Sequence, residues 1–167
     1  MGGGGGGDYL APRNFERLAQ AAKEAMKTAA KPQRRNVFLS FVEEDIANVN
    51  LLRGQAKNEN NDIEFNDWSL TKPFDSRDAE YIRRGIRERI RQSSLTIVYI
   101  SERTADSRWV DWEIRESLAM GKGVIAMYQG DRPPGRLPRA VTEAKIKVVP
   151  WKQGTLAEAV DKAAKAP

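Results

Sequence analysis

The sequence has no cysteine and no histidine. Without cysteine there can be no disulfide, thiolate metal site or thiol nucleophile. Without histidine there is no imidazole base, which excludes serine–histidine catalysis. Any chemistry must run on carboxylates, hydroxyls, lysine, arginine, tyrosine and backbone groups, and no metal site is expected. No apolar run approaches the ~20 residues needed to cross a bilayer. The N-terminus lacks the basic-then-apolar layout of a signal peptide. Gly6 stands where a myristoylation motif has serine or threonine. The expectation is a cytoplasmic protein without membrane contact. A phosphate-cradling glycine loop is also missing, because Gly130 to Gly135 lacks the required spacing.

What is present fits one ordinary soluble domain. The chain has 167 residues, 40% of them hydrophobic, which is enough to bury a core. Net charge is +5 with a pI near 9.6, a balance that permits weak attraction to polyanions. The arginines, however, fall on the outer faces of expected helices. No basic motif interleaved with aromatics is found, so nucleic acid is not an expected partner.

Gly2 to Gly7 is a low-complexity tract. Asn14 to Ala30 reads as a helix with an apolar stripe of Phe15, Leu18, Ala22 and Met26. Together they form an expected first segment, residues 1–33, ahead of a domain spanning 34–167. The run NVFLSFV (Asn36 to Val42) is apolar on both faces, as a buried parallel strand requires. Glu43 to Asp45 then suit a helix N-terminus, and Ile46, Val49, Leu52 and Ala56 carry that helix's stripe. Ile63 to Phe65 reads as a short edge strand, followed by a loop from Asp67 to Asp75. Asp75 and Ser76 are expected to cap a helix with the stripe Ala79, Ile82, Ile86 and Ile90. LTIVYI (Leu95 to Ile100) is a second buried strand. A helix carrying Trp109 and Glu113 follows and ends at Gly121 to Gly123. Val124 to Tyr128 and Ile146 to Val149 are the last strands, with a proline-rich loop between them. Thr155 to Ala166 is a closing helix. Alternation of strand and helix predicts a three-layer α/β sandwich around a five-stranded parallel sheet, order 2-1-3-4-5.

In that order the ligand crevice lies between the carboxyl ends of strands one and three. It gathers Ser40, Phe41 and Glu43 after strand one, Ser101 to Thr104 after strand three, and Trp109 and Glu113 on the next helix. Trp109 and Glu113 are one turn apart on one side. Such a pair suits a nicotinamide nucleotide: the ring can stack on a pyridinium cation. The carboxylate can hold ribose hydroxyls and stabilise an oxocarbenium-like transition state. Nicotinamide leaves readily, so no strong general acid is needed. The residue pattern equally allows Glu113 as a charge at the helix boundary and Trp109 as packing. Val110, Ile114, Ser117 and Leu118 form that helix's expected core stripe, with Glu113 at its edge. The acidic run Glu43 to Asp45 is similar to the metal-binding carboxylates of receiver domains. Strand three, however, closes with Ser101-Glu102 instead of the aspartate a receiver needs.

These motifs resemble TIR domains. NVFLSF (Asn36 to Phe41) with Glu44-Asp45 is similar to the first TIR box. Ser107-Arg108-Trp109 with Glu113-Ile114 is similar to the segment that carries the TIR catalytic glutamate. FNDWSL (Phe65 to Leu70), Asp75 to Ile90, SSLTIV (Ser93 to Val98) and GKGVIAMY (Gly121 to Tyr128) resemble the TIR-like proteins of Thoeris anti-phage systems. The resemblance covers about Arg34 to Trp151. It implies a flavodoxin-like fold and cleavage of NAD to nicotinamide and an ADP-ribose product, often cyclised. In such systems that product is a diffusible signal that switches on a separate effector protein. The resemblance assigns catalysis to Glu113 and places Ser40, Phe41, Asp45, Asp67, Trp68 and Trp109 at the substrate. NAD enters as substrate, with no resident cofactor. The loop from Asp67 to Phe74 resembles one that contacts another copy of the chain. Some TIR proteins assemble as adaptors without turnover, so an adaptor stands as the alternative to an enzyme.

Overall fold

Two apolar runs set the centre of the sheet. In the computed structural model β3 (Leu95–Tyr99) is buried at every position, and β1 (Arg35–Ser40) is buried from Val37 onward. A strand buried on both sides has to be covered on both faces. Leu95, Ile97 and Tyr99 join Val37, Leu39, Ile125 and Met127 on one face. There they meet Val49, Leu52 and Ala56 of α2 (Ile46–Asn58) and Val160 of a C-terminal helix (Thr155–Lys165). Val98 and Ile100 point the other way, towards Val110 and Ile114 of α4 (Arg108–Ala119). On the same face Phe38 packs with Ile82, Ile86 and Ile90 of α3 (Ala79–Gln92).

β2 (Ile63–Asn66), β4 (Gly123–Tyr128) and β5 (Lys147–Pro150) complete a five-stranded sheet in the order β2-β1-β3-β4-β5. Every pairing is parallel. This is the expected flavodoxin-like order. The structure describes residues 12–29, 35–58, 63–66, 74–152 and 155–165. The chain divides into two units, Met1–Arg34 and Arg35–Pro167. The first contains α1 (Pro12–Ala29), whose Leu18 and Ala22 are exposed. The second holds the sheet.

Three local expectations need correction. Asp75 and Ser76 do not cap α3. That helix starts at Ala79 with Asp78 before it and no side-chain cap, and Asp75 instead pairs with Arg108. Glu43–Asp45 form a separate 3-10 turn ahead of α2. A short helix, α5 (Arg139–Glu143), lies in the segment between β4 and β5 where no helix was expected. The C-terminal helix is therefore α6.

Helix α6 sits close against the sheet at Gly123. A Cβ added there would lie 2.5 Å from the carbonyl oxygen of Ala163 and 3.1 Å from its carbon. Backbone cannot swing aside as a side-chain tip can, so Gly123→Ala has to push α6 off β4. Overpacking of this kind costs about 1–3 kcal/mol. The melting temperature of Gly123→Ala should fall accordingly. An unchanged or higher value would show that α6 is not seated at Gly123.

Candidate active site

The strand order reverses at β1: the chain leaves β1 for β2 on one side and returns to β3 on the other. The carboxyl ends of β1 and β3 therefore diverge into a crevice. Ser40 ends β1 in register with Val98 of β3 and faces α4. Its hydroxyl donates to Oε2 of Glu113, forming a buried pair between strand and helix. Glu113 is only 3% exposed and Ser40 1%. The sequence had placed Glu113 at the edge of its helix stripe. In the structure Val110, Glu113, Ile114 and Ser117 are the buried set, and Leu118 is 39% exposed.

Local chemistry holds α4 in place. The Ser107 hydroxyl accepts from the backbone N–H of Val110 at 3.2 Å, an N-cap that starts the helix beside the end of β3. One turn beyond Glu113, the Ser117 hydroxyl donates to the Glu113 carbonyl at 2.8 Å. Thr96 Oγ1 of β3 lies 2.8 Å from the same Ser117 oxygen. Ser117 has one hydroxyl proton, already given to the carbonyl, so Thr96 is the donor in the second bond.

A second acidic group ties the two loops above the strands together. Asp45 is 1% exposed. It accepts from Ser101 Oγ at 2.5 Å and from Arg103 Nη1 at 3.1 Å. Neighbouring Tyr99 is held above the usual phenol range, first by burial and then by the charge of Asp45, with a hydrogen bond to Asn48 acting the opposite way. It is a neutral phenol at physiological pH. The loop after β4 is joined to the same region, with the Gly135 N–H donating to Glu102 at 3.0 Å. Arg136 forks onto Asp106 at 2.6 and 3.1 Å and holds that carboxyl below its ordinary range.

Trp109 lies on the α3 side of α4. Phe74 meets it edge-on, with ring centres 4.8 Å apart, and Trp112 does so at 5.8 Å. The Arg83 guanidinium lies 4.3 Å from the Phe74 ring and 5.7 Å from the Trp109 ring. The expected residues thus fall into groups. Ser40 and Glu113 touch, and Trp109 is one turn away. Asp45 anchors the neighbouring loops. Phe41 turns to the opposite face of the sheet, packs against the core there and carries the Arg53 guanidinium 5.5 Å above its ring. Asp67 and Trp68 lie outside the described residues. Arg103, Thr96 and Ser117 were not foreseen as partners of the acidic groups. A serine one turn after a glutamate in an apolar stripe was the available signal for Ser117. Among the described residues no group of three or more Asp or Glu could hold a metal ion. Among the same residues no helix is long and apolar enough to cross a membrane.

The family model of the Thoeris protein ThsB, TIR-like domain, matches residues 38–133, more than half of the chain. The chain belongs to the ThsB TIR-like family. The matched segment spans the residues expected from the sequence to form the site. No curated protein matches the chain. Among solved structures it is similar to a protein of Burkholderia pseudomallei K96243 named as pilus assembly-related, with 13% identity, 78% of this chain and 90% of that one covered, and a TM-score of 0.48. It is also similar to the TIR domains of the activated Roq1 resistosome that recognises the pathogen effector XopQ, with 20% identity, 80% and 85% covered, and a TM-score of 0.42.

Proposed function

We propose that this ThsB-family chain cleaves NAD at the nicotinamide–ribose bond and so makes a nucleotide signal for a separate effector in anti-phage defence. The observation that carries the reading is Glu113: a carboxylate buried at the switch point, on the helix after β3, within the family's TIR-like segment. The C1′–N bond breaks with its electron pair leaving on neutral nicotinamide. The ribosyl cation that develops is stabilised by the Glu113 carboxylate, an effect largest in the transition state. Water, or a nucleophilic atom of the same ADP-ribose, then closes the cation to a linear or cyclic product. No imidazole or thiol is required, which suits the composition.

The test incubates NAD with the purified chain across a range of protein concentrations, and with lysate of phage-infected cells expressing it, resolving products by chromatography. Nicotinamide and an ADP-ribose species should appear in equal amounts. Turnover per molecule should rise with protein concentration if copies of the chain assemble. No nicotinamide under either condition would overturn the enzyme reading and leave a non-catalytic TIR adaptor.

A further inference from the structure

We propose that Ser40 is a positioning residue for Glu113 and not a substrate ligand, a role that rests on the NAD-cleaving reading above. The Ser40 hydroxyl has a single proton, and the structure commits it to Glu113 Oε2. A ribose or phosphate oxygen could take that proton only by breaking the pair. Both residues are almost fully buried, in a layer shared with Val98, Ile100, Val110 and Ile114 and with the Thr96–Ser117 hydroxyl pair. A hydroxyl–carboxylate pair gains little in such a layer over apolar side chains of the same volume.

The pair is one part of the fixation of Glu113, which is held from both strands. β1 holds the Glu113 carboxylate through Ser40. β3 holds the Glu113 backbone carbonyl through Thr96 and Ser117. The two strands are hydrogen-bonded neighbours, with Phe38 opposite Thr96 and Ser40 opposite Val98. Their hydroxyls are therefore a fixed distance apart along the sheet. A long glutamate side chain has three rotatable bonds, and a carboxylate that must face a developing cation is effective only when its rotamer is set beforehand. Ser40 selects the side-chain rotamer, and the Thr96–Ser117 link fixes the height of the helix turn that carries it.

The experiment compares wild type, Ser40→Ala, Ser40→Cys, Ser40→Thr, Glu113→Gln and the Ser40→Ala/Glu113→Gln double variant. Nicotinamide release is followed against NAD concentration, each protein held well below its own melting midpoint. Ser40→Ala should lower kcat by about ten- to hundredfold with KM within about twofold of wild type, as expected when a reacting group is misplaced without loss of a substrate contact. Ser40→Thr, which keeps the hydroxyl, should recover kcat to within a few-fold, a rescue that a purely structural role would not give. Ser40→Cys, isosteric with a weak donor, should fall between the two and serves if the alanine variant does not fold. On the Glu113→Gln background, Ser40→Ala should cost nothing further. A raised KM with intact kcat would overturn the proposal in favour of direct substrate binding. Unchanged kinetics in Ser40→Ala, beside an inactive Glu113→Gln, would sink the positioning role alone. A fully active Glu113→Gln, or a wild type that releases no nicotinamide, would sink the underlying reading with it.

Discussion

Glu113→Gln is expected to lower nicotinamide release at saturating NAD by about 10²–10³-fold, or ~3–4 kcal/mol in the barrier. The substitution keeps size and shape and removes the charge. One acceptor oxygen remains, so the Ser40 hydroxyl can still donate to it. The backbone carbonyl that receives the Ser117 proton is untouched. Folding should therefore survive, although the residue is fully buried and not, as its helix position alone implied, partly exposed at the edge of the apolar stripe. Two costs compete. Placing an amide where a carboxylate sat can shift stability by about 1–3 kcal/mol. That loss moves the melting temperature but does not slow turnover while the protein stays folded. Loss of charge opposite a ribosyl cation acts on the transition state and leaves KM for NAD nearly unchanged. The deciding measurement is product release by wild type and variant in lysate of phage-infected cells, with melting curves taken in parallel. A folded Glu113→Gln protein that releases nicotinamide at nearly the wild-type rate would end the catalytic assignment.

The sheet was readable from sequence because its signals are local and redundant. NVFLSFV and LTIVYI have no polar face to expose, which forces both strands inward, and the parallel register follows from the helices between them. The stripe Ala79, Ile82, Ile86, Ile90 was also correctly placed in the core, as were Val49, Leu52 and Ala56 of the α2 stripe, whereas its first member, Ile46, is only partly buried. What escaped depends on partners distant in the chain. Helix α5 begins at a proline with no side-chain cap of its own. Its early N–H at Ala140 is satisfied by Asp111 of α4 at 2.8 Å, and Arg115 bridges Asp111 to Glu143. Nothing between residues 129 and 146 announces that support. Likewise Asp75 looks like a helix cap in sequence, yet it pairs with Arg108, thirty-three residues later. The site divides along the same line. Topology alone brought Ser40 and Glu113 to one crevice, and the resemblance to the first TIR box added Asp45. The side to which each turns was set by strand alternation at the end of β1: Ser40 faces α4, and Phe41, next in the chain, faces α2.

Trp109→Ala should cost more in stability than in substrate binding, although the residue pattern alone allows stacking and packing equally. A tryptophan that stacks on a pyridinium ring contributes about 1–2 kcal/mol to binding. In the structure, however, Trp109 already has ring neighbours, Phe74 and Trp112, and packs against the cluster of Phe38, Ile82, Ile86 and Ile90. Truncating a large aromatic in a core costs about 3–5 kcal/mol. For a half-buried ring, about 2–4 kcal/mol is the corresponding range, which in a domain of this size lowers the melting temperature by roughly 4–16 °C. Arg83 would also lose one of the three rings around its guanidinium, adding to the loss. The alanine variant alone therefore confounds folding with binding. Trp109→Phe separates them, because it keeps an aromatic face against Phe74 and removes the larger indole surface. Its melting temperature should stay within a few degrees of wild type. If Trp109 stacks on nicotinamide, KM for NAD should still rise several-fold in the phenylalanine variant and further in a folded alanine variant, with kcat changing less than in Glu113→Gln. A Trp109→Ala protein that melts far lower yet binds and cleaves NAD normally at low temperature would make this ring a strut between α3 and α4. The nicotinamide face of the site would then have to be built from other residues.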